Sequence, residues 1–77
     1  MNQFDIDVDA RGKSDPHPIL DLRKALDIAE GGQIVKLLAT DPGSTSDVMA
    51  FCRQTGHTLL SSWEQSGQQA FLVQKKS

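Results

Sequence analysis

Leu38-Ala39-Thr40-Asp41-Pro42-Gly43-Ser44-Thr45-Ser46-Asp47-Val48-Met49-Ala50-Phe51-Cys52-Arg53-Gln54-Thr55-Gly56-His57 decides the fold. It opens at the end of a run, Gln33 to Thr40, that holds Ile34, Val35, Leu37 and Leu38. Near-continuous apolar character with β-branched residues predicts a strand covered on both sides, hence a central one. Thr40-Asp41-Pro42-Gly43 is turn chemistry. Ser44 with Asp47 three residues later resembles a capping box with Asp in place of Glu, so a helix is predicted to start near Ser44. Val48, Phe51, Cys52 and Thr55 then recur at helical spacing as its inner stripe. Gly56 closes it. From His57 the pattern returns to strand, Thr58 to Glu64. Strand, turn, helix, stop and strand follow within a few dozen residues.

Toward the N-terminus, Gln3 to Asp9 alternate. Phe4, Ile6 and Val8 fall on one face and Asp5, Asp7 and Asp9 on the other, which predicts a half-buried strand with a wet acidic face. Arg11 to Ser14 break the alternation as a loop. Asp15-Pro16 reads as a helix start, with Asp15 at the N-cap and Pro16 at the first helical position. Ile19, Leu22, Leu26 and Ala29 form the stripe of that helix, and Gly31-Gly32 end it. Leu20 and Ile28 lie off the stripe. Toward the C-terminus, Ser66-Gly67 between two strand-like runs predicts a hairpin. Ala70 to Val73 form the last strand, before a polar tail. The order is β-α-β-α-β-β. Its natural two-layer solution is an α/β sandwich of the α+β kind, two helices on one face of a four-stranded mixed sheet. The other sheet face is expected to carry polar side chains.

The chain has 77 residues, which predicts a single domain spanning 1–77 with any site at the surface or at an element end. A net charge of −2 and a pI near 5.5 lack the clustered basic footprint of a nucleic-acid binder, so no direct nucleic-acid partner is expected. Cys52 is the only cysteine, which excludes an intrachain disulfide and a thiolate metal cluster. No apolar run approaches the ~18 residues of a membrane span. The start, Met1-Asn2-Gln3-Phe4-Asp5, has neither the basic nor the apolar region of a signal peptide. Cytoplasmic localisation, a monomeric state and no membrane partner are the resulting expectations.

Four runs resemble a known family: Val8-Asp9-Ala10-Arg11-Gly12; Pro16-His17-Pro18 opening Ile19-Leu20-Asp21-Leu22-Arg23-Lys24-Ala25-Leu26; Leu38 to Ser44; and Asp47 to His57. From about Phe4 to Lys75 the chain resembles the TusA/SirA family. The resemblance implies the fold above and a place in sulfur trafficking. Members hold a persulfide on the cysteine of a Cys-Pro-x-Pro motif, take sulfur from a desulfurase or related donor, and pass it to a partner protein. The end points are tRNA thiolation, sulfur oxidation or molybdenum-cofactor work, and no metal or organic cofactor is needed. A helix start lowers a thiol's pKa through the helix dipole and free N–H groups. In this sequence the motif reads Asp15-Pro16-His17-Pro18. A carboxylate suits a helix start but holds no persulfide, and it repels an incoming persulfide anion. The resemblance therefore implies a non-transferring binding or regulatory paralogue. It would dock a desulfurase or a DsrE-type carrier through Pro16, His17, Pro18, Leu20, Arg23 and Lys24.

Rival readings attach to the same residues. Asp15 is explained without a function if it only caps the helix. Cys52 is a possible displaced sulfur carrier, against its place on the core stripe; a cysteine replaced at Asp15 by engineering is another route to an active sulfurtransferase. Whether the chain is an enzyme stays open. Ser14 with His17 lacks the third group of a triad. Asp15, His17 and His57 have no metal-demanding spacing. Gly12-Lys13-Ser14 has Asp7 where a phosphate loop needs glycine. Leu20, Ile28 and Trp63 are expected either to pack at edges or to form an apolar docking patch, with Arg23 and Lys24 as a basic rim.

Overall fold

The computed structural model describes residues 3–77. Six elements follow in the expected order: β1 (Ile6–Ala10), α1 (His17–Ile28), β2 (Ile34–Ala39), α2 (Ser44–Thr55), β3 (Thr58–Gln65) and β4 (Gln68–Gln74). The sheet runs β1-β2-β4-β3, with β1 parallel to β2 and the other pairs antiparallel. The most apolar strands, β2 and β4, therefore take the two central places, where both neighbours satisfy their backbone groups.

Register explains the core. Val35 and Leu37 of β2 lie opposite Val73 and Phe71 of β4, and all four are fully buried. Leu22, Ala25 and Leu26 of α1, with Val48, Phe51 and Cys52 of α2, close over them as one cluster. Ile19 and Leu59 pack against its rim. The predicted stripes of both helices turn inward, with Ile19 and Thr55 half-buried, and Pro18 and Ala25 join that of α1 and Ser44 that of α2.

The opposite sheet face is less polar than expected. β1 does place Asp7 and Asp9 there, but Asp9 is opposite Leu38, and Leu38 is in turn opposite Ala70, with Trp63 beyond. Ala70 and Leu72 are buried on this face without a covering helix. In a sheet this small their neighbours across the strands shield them: Trp63 flanks Ala70, and Lys36 and Ser61 flank Leu72. Phe4 also departs from expectation. It precedes β1, and its ring lies 5.3 Å from Nζ of Lys36, an open-face residue paired with Asp7. Trp63 and Leu20 consequently belong to different layers, so Leu20, Ile28 and Trp63 form no common patch.

The hairpin at Ser66-Gly67 has positive φ at both central residues, 53° and 76°. That is the twist-matched turn, and glycine or asparagine suits its first position better than serine. Ser66→Asn is expected to stabilise the domain by about 0.5 kcal/mol or more, because a left-handed conformation strains most L-residues. Urea unfolding of the two proteins measures the difference.

Candidate functional site

Both helices start on the same side of the molecule, and side chains of the β2–α2 turn tie their entry loops together. Thr40 Oγ1 accepts the Gly12 N–H at 2.8 Å. Asp41 does more: Oδ1 accepts from Gly43 N at 2.9 Å and Oδ2 from Asp15 N at 2.7 Å. One carboxylate thus brackets the start of α2 and holds the residue before Pro16. These backbone hydrogen bonds, first from Gly43 and then from Asp15, hold the Asp41 carboxyl below its ordinary range.

Neither predicted cap forms. Pro16, not Asp15, occupies the N-cap position of α1, and no side chain caps that helix. The Asp15–Pro16 peptide bond is cis. The first turn leaves little for a cap to satisfy. His17 N–H already donates to Ser14 O, Leu20 N–H donates to Pro16 O, and Pro18 has no N–H. Asp15 is thereby free to direct its carboxyl elsewhere. In α2, Ser44 is the first helical residue rather than the cap, and its hydroxyl is buried without a partner. Gly43 stands at the N-cap without a side-chain cap bond, and the Asp41 side chain accepts the N–H of Gly43 itself. The Asp-Pro-Gly turn was visible in the sequence; the second bond of Asp41, to a loop 26 residues away, was not.

The Asp15 carboxyl faces Asp47 on α2. Its hydrogen bond pushes the Asp47 carboxyl above its ordinary range, with desolvation and the charges of Asp15 and Asp41 adding to the shift. The sign follows. A raised carboxyl pKa contributes stability below its unfolded value, and this is lost as pH rises through the folded value. Asp41 works oppositely: its contribution is present above the ordinary carboxylate pKa and lost as pH falls through its depressed value. In an NMR titration of side-chain carboxyl carbons, Asp15→Asn is expected to move the Asp47 midpoint down. An unchanged midpoint would mean that the two groups do not interact.

Between the helices, Asp15 and Asp47 stand at one end of a shallow cavity of about 310 Å³. Ile19, Leu20, Ala50 and Phe51 line its apolar part, with Arg23 and Gln54 farther along. Five of the predicted site residues take distinct places. Pro16 is exposed beside Asp15 and lines the cavity. Leu20, 44% exposed, stands over it. The Arg23 guanidinium lies 5.8 Å from the centre of the Phe51 ring. Lys24 is exposed on the same helix but does not line the cavity. Pro18 corrects the prediction of an exposed partner contact, because it is buried in the first turn and can only support the surface.

The predicted rivals separate as well. Cys52 is 6% exposed within the core, and burial pushes its thiol up from the ordinary value. His17 is exposed, and its Nδ1 lies 3.1 Å from the Ser14 carbonyl oxygen, not from the hydroxyl, so no nucleophile–base pair exists. His57 is at the far ends of the helices, with Arg23, Asp27 and Lys76 around it. Among the described residues no group of three or more histidine, cysteine or acidic side chains could hold a metal ion. No described helix is long and apolar enough to cross a membrane. Missed by sequence reasoning were Asp47, Ala50 and Gln54. Their three- and four-residue spacing marks one face of α2, but the sequence does not say which helix that face meets.

Fold and site define a two-layer α+β domain that presents the opening of its first helix beside a groove between both helices. The chain belongs to the TusA family: the family model for Sulfurtransferase TusA matches residues 6–75. It is 44% identical over 75 residues to the sulfur carrier protein TusA of Allochromatium vinosum, covering 97% of this chain and 99% of that one. A putative sulfur carrier protein of Neisseria meningitidis is 46% identical over 76 residues, covering 99% and 100%. Among solved structures, a SirA-like protein from Desulfitobacterium hafniense shares the fold with a TM-score of 0.83, at 23% identity and covering 95% of this chain and 100% of that one.

Proposed function

We propose that this protein serves sulfur trafficking as a non-transferring member of its family, binding a sulfur-relay partner at the α1 start without carrying sulfur. What supports the reading is Asp15, a carboxylate at the mouth of the interhelical groove, at the position that we align with the cysteine of the family motif. The burial of Cys52 supports it, because the chain's single thiol lies in the core and is held in its protonated form. A thiol attacks sulfane sulfur as the thiolate, and neither exposure nor charge favours that here. The groove keeps a surface for a partner: Asp15, Pro16, Leu20 and Arg23 line one continuous wall. A desulfurase or a DsrE-type carrier is the partner the reading names, and its end point is tRNA thiolation or sulfur oxidation.

Incubation with a cysteine desulfurase and cysteine, followed by intact-protein mass spectrometry, tests the proposal. The expected result is a wild-type mass without added sulfur. Stoichiometric addition would end the reading. The rival that Cys52 carries sulfur is tested by labelling with a thiol reagent. Cys52 is expected to react slowly in the folded protein and rapidly in urea, whereas fast native labelling would favour the rival.

A further inference from the structure

A second cavity continues the groove toward the C-terminal ends of the helices. It measures about 500 Å³ and shares Arg23, Phe51 and Gln54 with the cavity at Asp15, adding Asp27, Thr55, His57 and Lys76. Its parts are arranged to face an anion. Arg23 is held over the Phe51 ring, and the His57 ring lies 5.9 Å from the same ring. His57 Nδ1 accepts the Lys76 N–H at 3.1 Å, which leaves Nε2 to carry the proton of the neutral ring. Neither Arg23 nor Lys76 forms an ion pair among the described residues. Helix C-termini are ordinarily poor surroundings for an anion. Here Lys75 Nζ donates to the Leu26 carbonyl oxygen of α1 at 2.6 Å and offsets part of that field. Asp27 is the only carboxylate lining this cavity.

The groove is thus polar in charge. Asp15 and Asp47 stand at one end, Leu20 and Ala50 lie between, and the cations Arg23 and Lys76 stand at the other with the neutral His57 ring and the single carboxylate of Asp27. Both cavities are open on the helical face and would enclose little of a small molecule, and the opposite charges at the two ends of the groove suit an extended protein segment. We propose that the groove binds a partner segment with an acidic side chain at the Arg23–His57–Lys76 end, apolar side chains over Leu20, and a neutral or basic residue beside Asp15. From Asp15 to Asp27 the helical rise spans roughly 18 Å, the length of about five extended residues. The inference rests on the proposed role as a binding protein and names the chemistry of its partner. Its test involves no sulfur, so sulfur loading of the wild-type chain would overturn that role without deciding this one.

The experiment titrates isotope-labelled protein with three short peptides and follows amide shifts by NMR. The first has glutamate at one end, lysine at the other and leucines between; the second has glutamine for the glutamate; the third has glutamate at both ends. The first is expected to shift amides of Leu20, Arg23, Gln54 and His57 and to bind tightest. A spin label at its glutamate end should broaden His57 rather than Asp15. The double variant Arg23→Gln, Lys76→Gln should weaken the first peptide by about threefold or more and leave the second unchanged; its undisturbed core resonances report that the fold is kept. Equal binding of all three peptides, or no loss in the double variant, would overturn the proposal, as would the absence of any shift in the groove.

Discussion

On the proposed reading, Asp15→Cys is expected to gain a single sulfur atom per molecule from a cysteine desulfurase where the wild-type chain gains none. The introduced thiolate would attack the terminal sulfur of the donor's persulfide. A new S–S bond forms, the old one breaks, and the donor cysteine leaves as its thiolate. A carboxylate is a weak nucleophile for the same sulfur, so the proposed difference between the two proteins is all or none. The surroundings set the rate. The helix dipole favours a thiolate at this point, but Asp47 and Asp41 oppose it by charge. Asp15→Cys combined with Asp47→Asn is therefore expected to load faster than the single variant at neutral pH, with the advantage shrinking as rising pH ionises the thiol in both proteins. Equal rates would show that the acidic neighbours do not reach the new thiol. A single variant that stays unloaded would mean that the scaffold does not support transfer even with a cysteine at this position.

The largest expected loss of stability is at Phe71. It is fully buried at the centre of β4, opposite Leu37 of β2. Phe71→Ala removes the apolar transfer of a whole ring and leaves a cavity that both helices would have to collapse to fill, a cost of about 3–5 kcal/mol. A domain of 77 residues is stable by roughly 4–12 kcal/mol at the usual share per residue. The variant therefore loses about a quarter of its stability at the least, and all of it at the low end of that range. Ile28→Ala is the matched control. Ile28 is 78% exposed at the end of α1, so its truncation should stay within about 0.5 kcal/mol. Urea midpoints of the three proteins decide the matter, and a Phe71→Ala midpoint close to that of the control would contradict the packing described.

Most of the fold could be read from local pattern. Apolar spacing selects Leu22, Leu26, Val48, Phe51 and Cys52 as inward, because a helix allows only one stripe to face a sheet. Gly56 and Ser66-Gly67 mark chain reversals through backbone freedom alone. Four quoted runs were enough for the family resemblance, which the match over residues 6–75 bears out.

The errors cluster where a residue's partner is distant in sequence. Asp15 as helix cap, and Ser44 with Asp47 as a capping box, were local inferences from residue type and spacing. In the folded chain Asp41 reaches back 26 positions to the Asp15 N–H, and Asp47 turns to Asp15. The apolar rows on the open sheet face had the same origin, since alternation within a strand does not show which neighbours shield it.

By itself, then, the sequence determined the element order and the inward stripes, both of which follow from residue type and spacing. Only the tertiary structure decided that Asp15 faces Asp47 rather than capping α1, and that Arg23, His57 and Lys76 share one end of a groove. The physical reason is that charge and burial depend on which surfaces meet across the core, and strand order with helix packing fixes that only after the chain has closed on itself.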